Sequence, residues 1–140
     1  MAAAIIWLLL PRRDKVSLAV QAIVSLVVMV VLIKLAAAIH TDPRPFVVDP
    51  SIKPLFPHPG DNGLPSDHTA LGVTVALLVM IYRRWLGAVL LAAAIVLETA
   101  RMAAHVHHGQ DIFAGMLIAV VAVGIASAAW RWVAPGCRGD

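Results

Sequence analysis

At 140 residues, 61% hydrophobic and only 14% charged, with a mean hydropathy of +0.87, the chain lies outside the compositional range of soluble globular domains. Its length suits one domain, 1–140, and its net charge of +3 comes with no basic stretch interleaved with aromatics, which excludes a nucleic-acid-binding surface. The single cysteine, Cys137, excludes an intrachain disulfide.

Residues 1–10 are apolar but reach only about half the roughly 20 residues that a spanning helix needs. Positive charges follow this run instead of preceding it, so it reads as an interfacial segment or the remnant of a lost helix, not as a signal peptide. Pro11-Arg12-Arg13-Asp14-Lys15 forms a short basic loop. Residues 16–39 make the first span; its one charge, Lys34, lies towards the end, where it reads equally as a snorkelling anchor or a site residue. Residues 40–65 hold seven of the nine prolines, which excludes regular helix and ladder pairing and predicts an extended loop over one membrane face, a lid.

The second span, 66–81, opens on Ser66 as N-cap, with Asp67 in the first turn suiting the helix dipole. Tyr82-Arg83-Arg84-Trp85 is a tight basic turn, and 86–100 is the third span, with Glu98 near its end. The polar stretch 101–111 follows, then a fourth span over 112–129 and a short tail opened by Trp130-Arg131-Trp132. The expected fold is all-α: a transmembrane helix bundle of four spans plus a short N-terminal apolar segment.

Four spans put residues 11–15, 82–85 and the tail on one side, with Arg12, Arg13, Lys15, Arg83, Arg84, Arg131 and Arg138. The other side holds only Lys34, Arg44, Lys53 and Arg101. The excess of basic residues marks the first side as cytoplasmic, and Tyr82, Trp85, Trp130 and Trp132 form an aromatic belt there. Arg44, Ser66, His68, Arg101, His105, His107, His108 and Asp111 then gather on the outer surface. Two arginines, several histidines and the helix N-termini near Ser66 and Gln110 together describe an anion site, with phosphate as the leading ligand.

Within that group His107 and Asp111 are four apart; on a helical turn they share one face, where the carboxylate takes one ring N–H and leaves the other nitrogen as a nucleophile. The same residues also read as an interfacial cluster that only caps helices. His68 in Pro65-Ser66-Asp67-His68 suits a general acid, or a residue merely facing a polar loop. Arg44 stands between two prolines, which pre-organises its fork for oxyanions; alone it reads as a loop arginine. His105, His107, His108 and Asp111 suit a transition metal, against which the two nearby arginines argue. Glu98 and Arg101, at i and i+3, suit an ion pair that orients the arginine, or a plain surface pair.

Taken together, Arg44-Pro45, Pro65-Ser66-Asp67-His68 and Arg101-x5-His107-x3-Asp111 resemble the type 2 phosphatidic acid phosphatase (PAP2) superfamily, which includes vanadium haloperoxidases. The pattern of that family is Lys-x6-Arg-Pro, Pro-Ser-Gly-His and Ser-Arg-x5-His-x3-Asp, and the likeness covers residues 34–115. Asp67 in place of glycine, and Arg44-Pro45-Phe46, are similar to the bacitracin-resistance-type undecaprenyl pyrophosphate phosphatases. The resemblance implies a haloperoxidase-like helical core, His107 as the nucleophile that becomes phosphohistidine, Asp111 as its support and His68 as the acid for the leaving group. It implies Arg44, Arg101 and Ser66 as phosphate ligands, and no metal or other cofactor. The chain departs from the pattern at Ala100, where the family has serine, and at Ala37, where it has lysine; Lys34, one turn earlier, is the candidate in its place. The family has six spans, so the N-terminal region reads as shortened.

These expectations converge on a multi-pass plasma-membrane phosphatase working at the extracytoplasmic face on a lipid phosphate or pyrophosphate, with an undecaprenyl pyrophosphate-like substrate first. A phosphatidate or phosphatidylglycerophosphate phosphatase comes second. Outside that class stand an inactive, truncated membrane anion-binding protein and a metal-binding membrane protein built on the histidine cluster.

Overall fold

The computed structural model describes residues 11–134; the apolar segment 1–10, Cys137 and Arg138 lie outside the described residues. Five helices follow in order among the described residues: α1 (Arg12–Ile39), the single turn α2 (Pro45–Val48), α3 (Asp67–Tyr82), α4 (Arg84–Ala103) and α5 (Gly109–Val133). Among the described residues there is no strand, only an isolated antiparallel bridge between Pro43 and Asn62. The fold is a membrane helix bundle. α3 packs against α1, α4 and α5, and α1 also packs against α5, so the shortest long helix is the hub.

Its sequence explains that place. The buried face of α3 is rich in small side chains, Thr69, Ala70, Val73, Thr74 and Ala76, which let neighbouring backbones approach. Gly115 of α5 meets it where an added Cβ would stand 2.7 Å from the Ser66 carbonyl oxygen, and Gly87 of α4 where one would stand 2.4 Å from the Met80 backbone. Met29, Ala70, Ile118 and Ala122 close a core between α1, α3 and α5. Large apolar side chains such as Ile23, Val27, Val31, Val96, Phe113 and Val120 face outward, as a bundle solvated by lipid requires.

The helices run longer than their apolar cores. α1 begins at Arg12, so the basic residues expected in a loop form its first turn; Pro11 directly precedes that turn, a place that needs no intrahelical N–H. The basic turn at 82–85 narrows to Arg83, which ends α3 and starts α4. The span count differs from four. Among the described residues three helices are long and apolar enough to cross a bilayer, whereas α3, held between the Ser66 cap and Arg83, has 16 residues. The proline-rich segment is not wholly without helix either: Pro45 occupies the first position of α2, where a missing N–H does no harm.

At the Arg83 end, Gln21 Nε2 donates to Ser17 Oγ at 2.9 Å and to Tyr82 Oη at 2.7 Å, and its Oε1 accepts from Ser127 Oγ at 3.1 Å. This neutral network clasps α1, α3 and α5. The polar cluster of interest occupies the opposite end.

Candidate active site

Three segments converge at that end: the loop after α1, the N-terminus of α3, and the turn between α4 and α5. The last turn of α4 presents Arg101, and α5 starts at Gly109 with Asp111 in its first turn. Between them His105 takes a left-handed φ of 60°, a sharp reversal unusual for a residue with a Cβ. The backbone of α3 and α5 is joined where Ser66 N–H donates to the Asp111 carbonyl at 3.1 Å. Both helix N-termini, each with a positive dipole end, therefore lie side by side.

His107 is buried at the centre. Its Nδ1 stands 3.2 Å from Asp111 Oδ2, and its Nε2 stands 3.4 Å from both Arg44 Nη1 and Arg101 Nη2. Arginine has only donors and an ionised carboxylate only acceptors, which fixes the tautomer: Nδ1 carries the proton and the Nε2 lone pair points between two guanidinium groups. Asp111 is fully buried, and its Oδ2 also accepts from the His108 backbone N–H at 2.8 Å. His107 precedes α5, so the pair does not share a helical face. The His108 cap turns the histidine back over the first turn instead.

Arg44 is equally constrained. Nη1 donates to the Val106 carbonyl at 2.9 Å, and Nε donates to Asp61 Oδ1 at 2.9 Å. The guanidinium in turn holds the Asp61 carboxyl below its ordinary range. Arg101 is less committed. Its Nε lies 3.9 Å from Glu98 Oε2 and has no hydrogen-bond partner among the described residues. Glu98, 2% exposed, also accepts from Ser66 Oγ at 3.3 Å, so it sits beneath the site as the counterion of the arginine.

A cavity of about 170 Å³ opens above His107, lined by Arg44, Arg101, His68, Asp67 and Pro65, and by His58, Asp61 and Asn62 of the proline-rich loop. The structure thus brings together Arg44, His68, Arg101 and His107, with Asp111 behind them. Ser66 is buried with its hydroxyl engaged by Thr69 N–H and Glu98; the residues on either side of it line the cavity. Lys34 is exposed on α1 and is not among the lining residues.

His58, Asp61 and Asn62 escaped the sequence reading, which saw only proline density there. A signal was available: Pro57-His58-Pro59 repeats the proline flanking of Pro43-Arg44-Pro45. The metal-ligand candidates also differ. His105 is exposed, and the residues whose ligand atoms lie within 4.8 Å of one another are Asp42, His108 and Asp111. Asp42 Oδ2 is 3.2 Å from His108 Nδ1 and accepts from Gln110 Nε2, which ties the loop to α5.

Apolar helices long enough to span lipid, with a buried histidine set between two arginines at one end, describe a class of membrane proteins with a candidate anion site, and comparison with known sequences narrows the class. The PAP2 superfamily matches residues 15–135, and the chain belongs to that superfamily. It is 29% identical over 115 residues to the bacitracin transport permease protein BcrC of Bacillus licheniformis, covering 82% of this chain and 56% of the relative. It is 25% identical over 87 residues to the undecaprenyl-diphosphatase BcrC of Bacillus subtilis (strain 168), covering 62% of this chain and 45% of the relative. The chain therefore spans about half the length of these curated relatives. No solved structure matches it.

Proposed function

We propose that the chain is a membrane lipid phosphatase that works through a phosphohistidine at His107, with a polyprenyl diphosphate of the undecaprenyl class as substrate. One observation carries the reading: the Nε2 lone pair of His107 faces Arg44 and Arg101 at 3.4 Å each while Asp111 holds the opposite nitrogen. Phosphoryl oxygens entering between the arginines bring phosphorus within reach of that lone pair. The Nε2–P bond forms as the P–O bond to the lipid breaks, and His68 gives the leaving oxygen its proton. Asp111 stabilises the charge that develops on the ring. A water then attacks phosphorus, returns a proton to His68 and frees His107. Two arginines and two helix N-termini supply the charge stabilisation that metal ions supply in other phosphotransfer sites.

The name of the Bacillus subtilis relative supports the diphosphate, and the distribution of basic residues supports an outward-facing site in the plasma membrane. The test is phosphate release by the purified protein in detergent from a panel: polyprenyl diphosphate, polyprenyl monophosphate, phosphatidate and phosphatidylglycerophosphate. The diphosphate is expected to be hydrolysed fastest. Release from phosphatidate or phosphatidylglycerophosphate alone would move the substrate to the glycerolipids, and release from none would leave a membrane anion-binding protein.

A cation-binding reading draws on the Asp42–His108–Asp111 group. The expected outcome is that turnover survives EDTA; complete loss restored by zinc would favour the cation.

A further inference from the structure

In the proposed reaction Arg44, Arg101, His68 and His107 are the groups that meet the transferred phosphoryl group. A diphosphate brings a second phosphoryl group with its own negative charge, and the cavity wall has few groups left to receive it. Asp61 and Asp67 are anionic. The Asn62 amide is already used, with Oδ1 accepting from Asp42 N–H at 2.8 Å and Leu64 N–H at 3.1 Å, and Nδ2 donating to the His40 carbonyl at 3.3 Å. His58 remains.

Its ring lies beside the nucleophile, edge-on to His107 with centroids 6.4 Å apart. The Nδ1 of His58 stands 3.2 Å from the Pro59 carbonyl, a contact only an N–H can make favourable, which leaves Nε2 as the nitrogen open to a ligand. Proline on both sides restricts the backbone that carries it. The segment is also tied down around it: Leu55 N–H donates to the Ala104 carbonyl at 3.3 Å, Gly63 N–H to the Asp42 carbonyl at 2.8 Å, and Asp61 holds Arg44. A histidine in a pinned loop, facing an anion cavity, is built as a ligand. A phosphate oxygen accepts a hydrogen bond at Nε2 when the ring carries a proton on both nitrogens.

We infer that His58 binds the inner phosphate of a lipid diphosphate, the one that stays with the lipid, and thereby distinguishes diphosphate from monophosphate substrates. The inference rests on the phosphatase reading above. His107 attacks the outer phosphorus, the bridging P–O bond breaks, and the bridging oxygen leaves on the inner phosphate with the proton from His68. His58 holds that inner phosphate in line and neutralises part of its charge as the bridge opens.

The experiment measures kcat/KM of purified wild type and H58F for a polyprenyl diphosphate and a monophosphate with the same tail. H58F keeps an aromatic ring against His107 and removes the donor. The ratio of diphosphate to monophosphate kcat/KM is expected to fall by about tenfold, the effect of one charge-assisted hydrogen bond. H58Q, which keeps N–H donors without the ring, is expected to fall between the two, and it carries the test if H58F is recovered unfolded. A ratio unchanged from wild type, whether both activities drop together or neither does, overturns the inference and makes His58 a packing partner of His107. Wild type that hydrolyses neither lipid overturns the phosphatase reading and this inference with it.

Discussion

The two ends of the bundle both place polar side chains inside an apolar structure, and they do so in opposite ways. At the Arg83 end, Ser17, Gln21, Tyr82 and Ser127 are neutral and bonded to one another across three helices. At the other end the groups are ionisable, and two buried atoms, Arg101 Nε and Asp111 Oδ1, have no hydrogen-bond partner among the described residues. A satisfied neutral network holds helices together and asks nothing of a ligand. Buried charges with spare valence are costly unless something else completes them, and that cost singles out this end as the candidate site.

The largest effect that would break this contrast comes from His107→Ala. Phosphate release is expected to drop at least roughly 10³-fold with the fold intact by circular dichroism. Retained turnover would remove the chemistry from this end. Next comes Arg44→Lys, which keeps the charge but not the fork that reaches Val106, Asp61 and His107 together. Loss of about 10²-fold in kcat is expected in the same assay. Gly115→Ala tests packing at the active end, because its Cβ would press on the Ser66 carbonyl. About 1–3 kcal/mol of lost stability is expected in thermal unfolding, together with reduced activity through the displaced start of α3. Gln21→Leu tests the far end: stability should fall by about 1 kcal/mol per lost bond while kcat/KM stays within about twofold.

The smallest effect concerns Asp61. Arg44 lowers its carboxyl pKa, so the pair is complete above the unfolded carboxylate value near 4 and is lost as pH falls through the lower folded value. The activity ratio of wild type to Asp61→Asn is therefore expected to stay constant from pH 5 to 8. A ratio that changes within that window would place another titration at Arg44.

The long apolar runs, the polar ends between them and the nearness of His107 to Asp111 were legible because each leaves a local mark. Among the described residues, though, only three of the expected four spans are long enough to cross, and the pair meets through the turn before α5, not on one helical face. Apart from Arg44, the loop of residues 40–65 was legible only as proline density. Its contributions to the cavity depend on a non-local bridge, Pro43 to Asn62, and on an ion pair 17 residues apart, neither of which has a period to read. Ser66 shows a different limit. Its place in the motif suggested a phosphate ligand, but its hydroxyl is occupied by Thr69 N–H and Glu98, a long-range partner that sequence spacing does not reveal.

The length of α3 has a consequence for the membrane that suits the bundle. Sixteen residues rise about 24 Å, against the roughly 30 Å of hydrocarbon in a typical bilayer. The helix that carries His68 in its first turn is therefore the one that falls short. α1 and α5, its long neighbours, are free to match the full thickness. A bundle with one short helix is accommodated by a thinner bilayer around it. Turnover in reconstituted vesicles should then depend on acyl-chain length, fastest in thin membranes, which makes the host lipid a regulator in its own right.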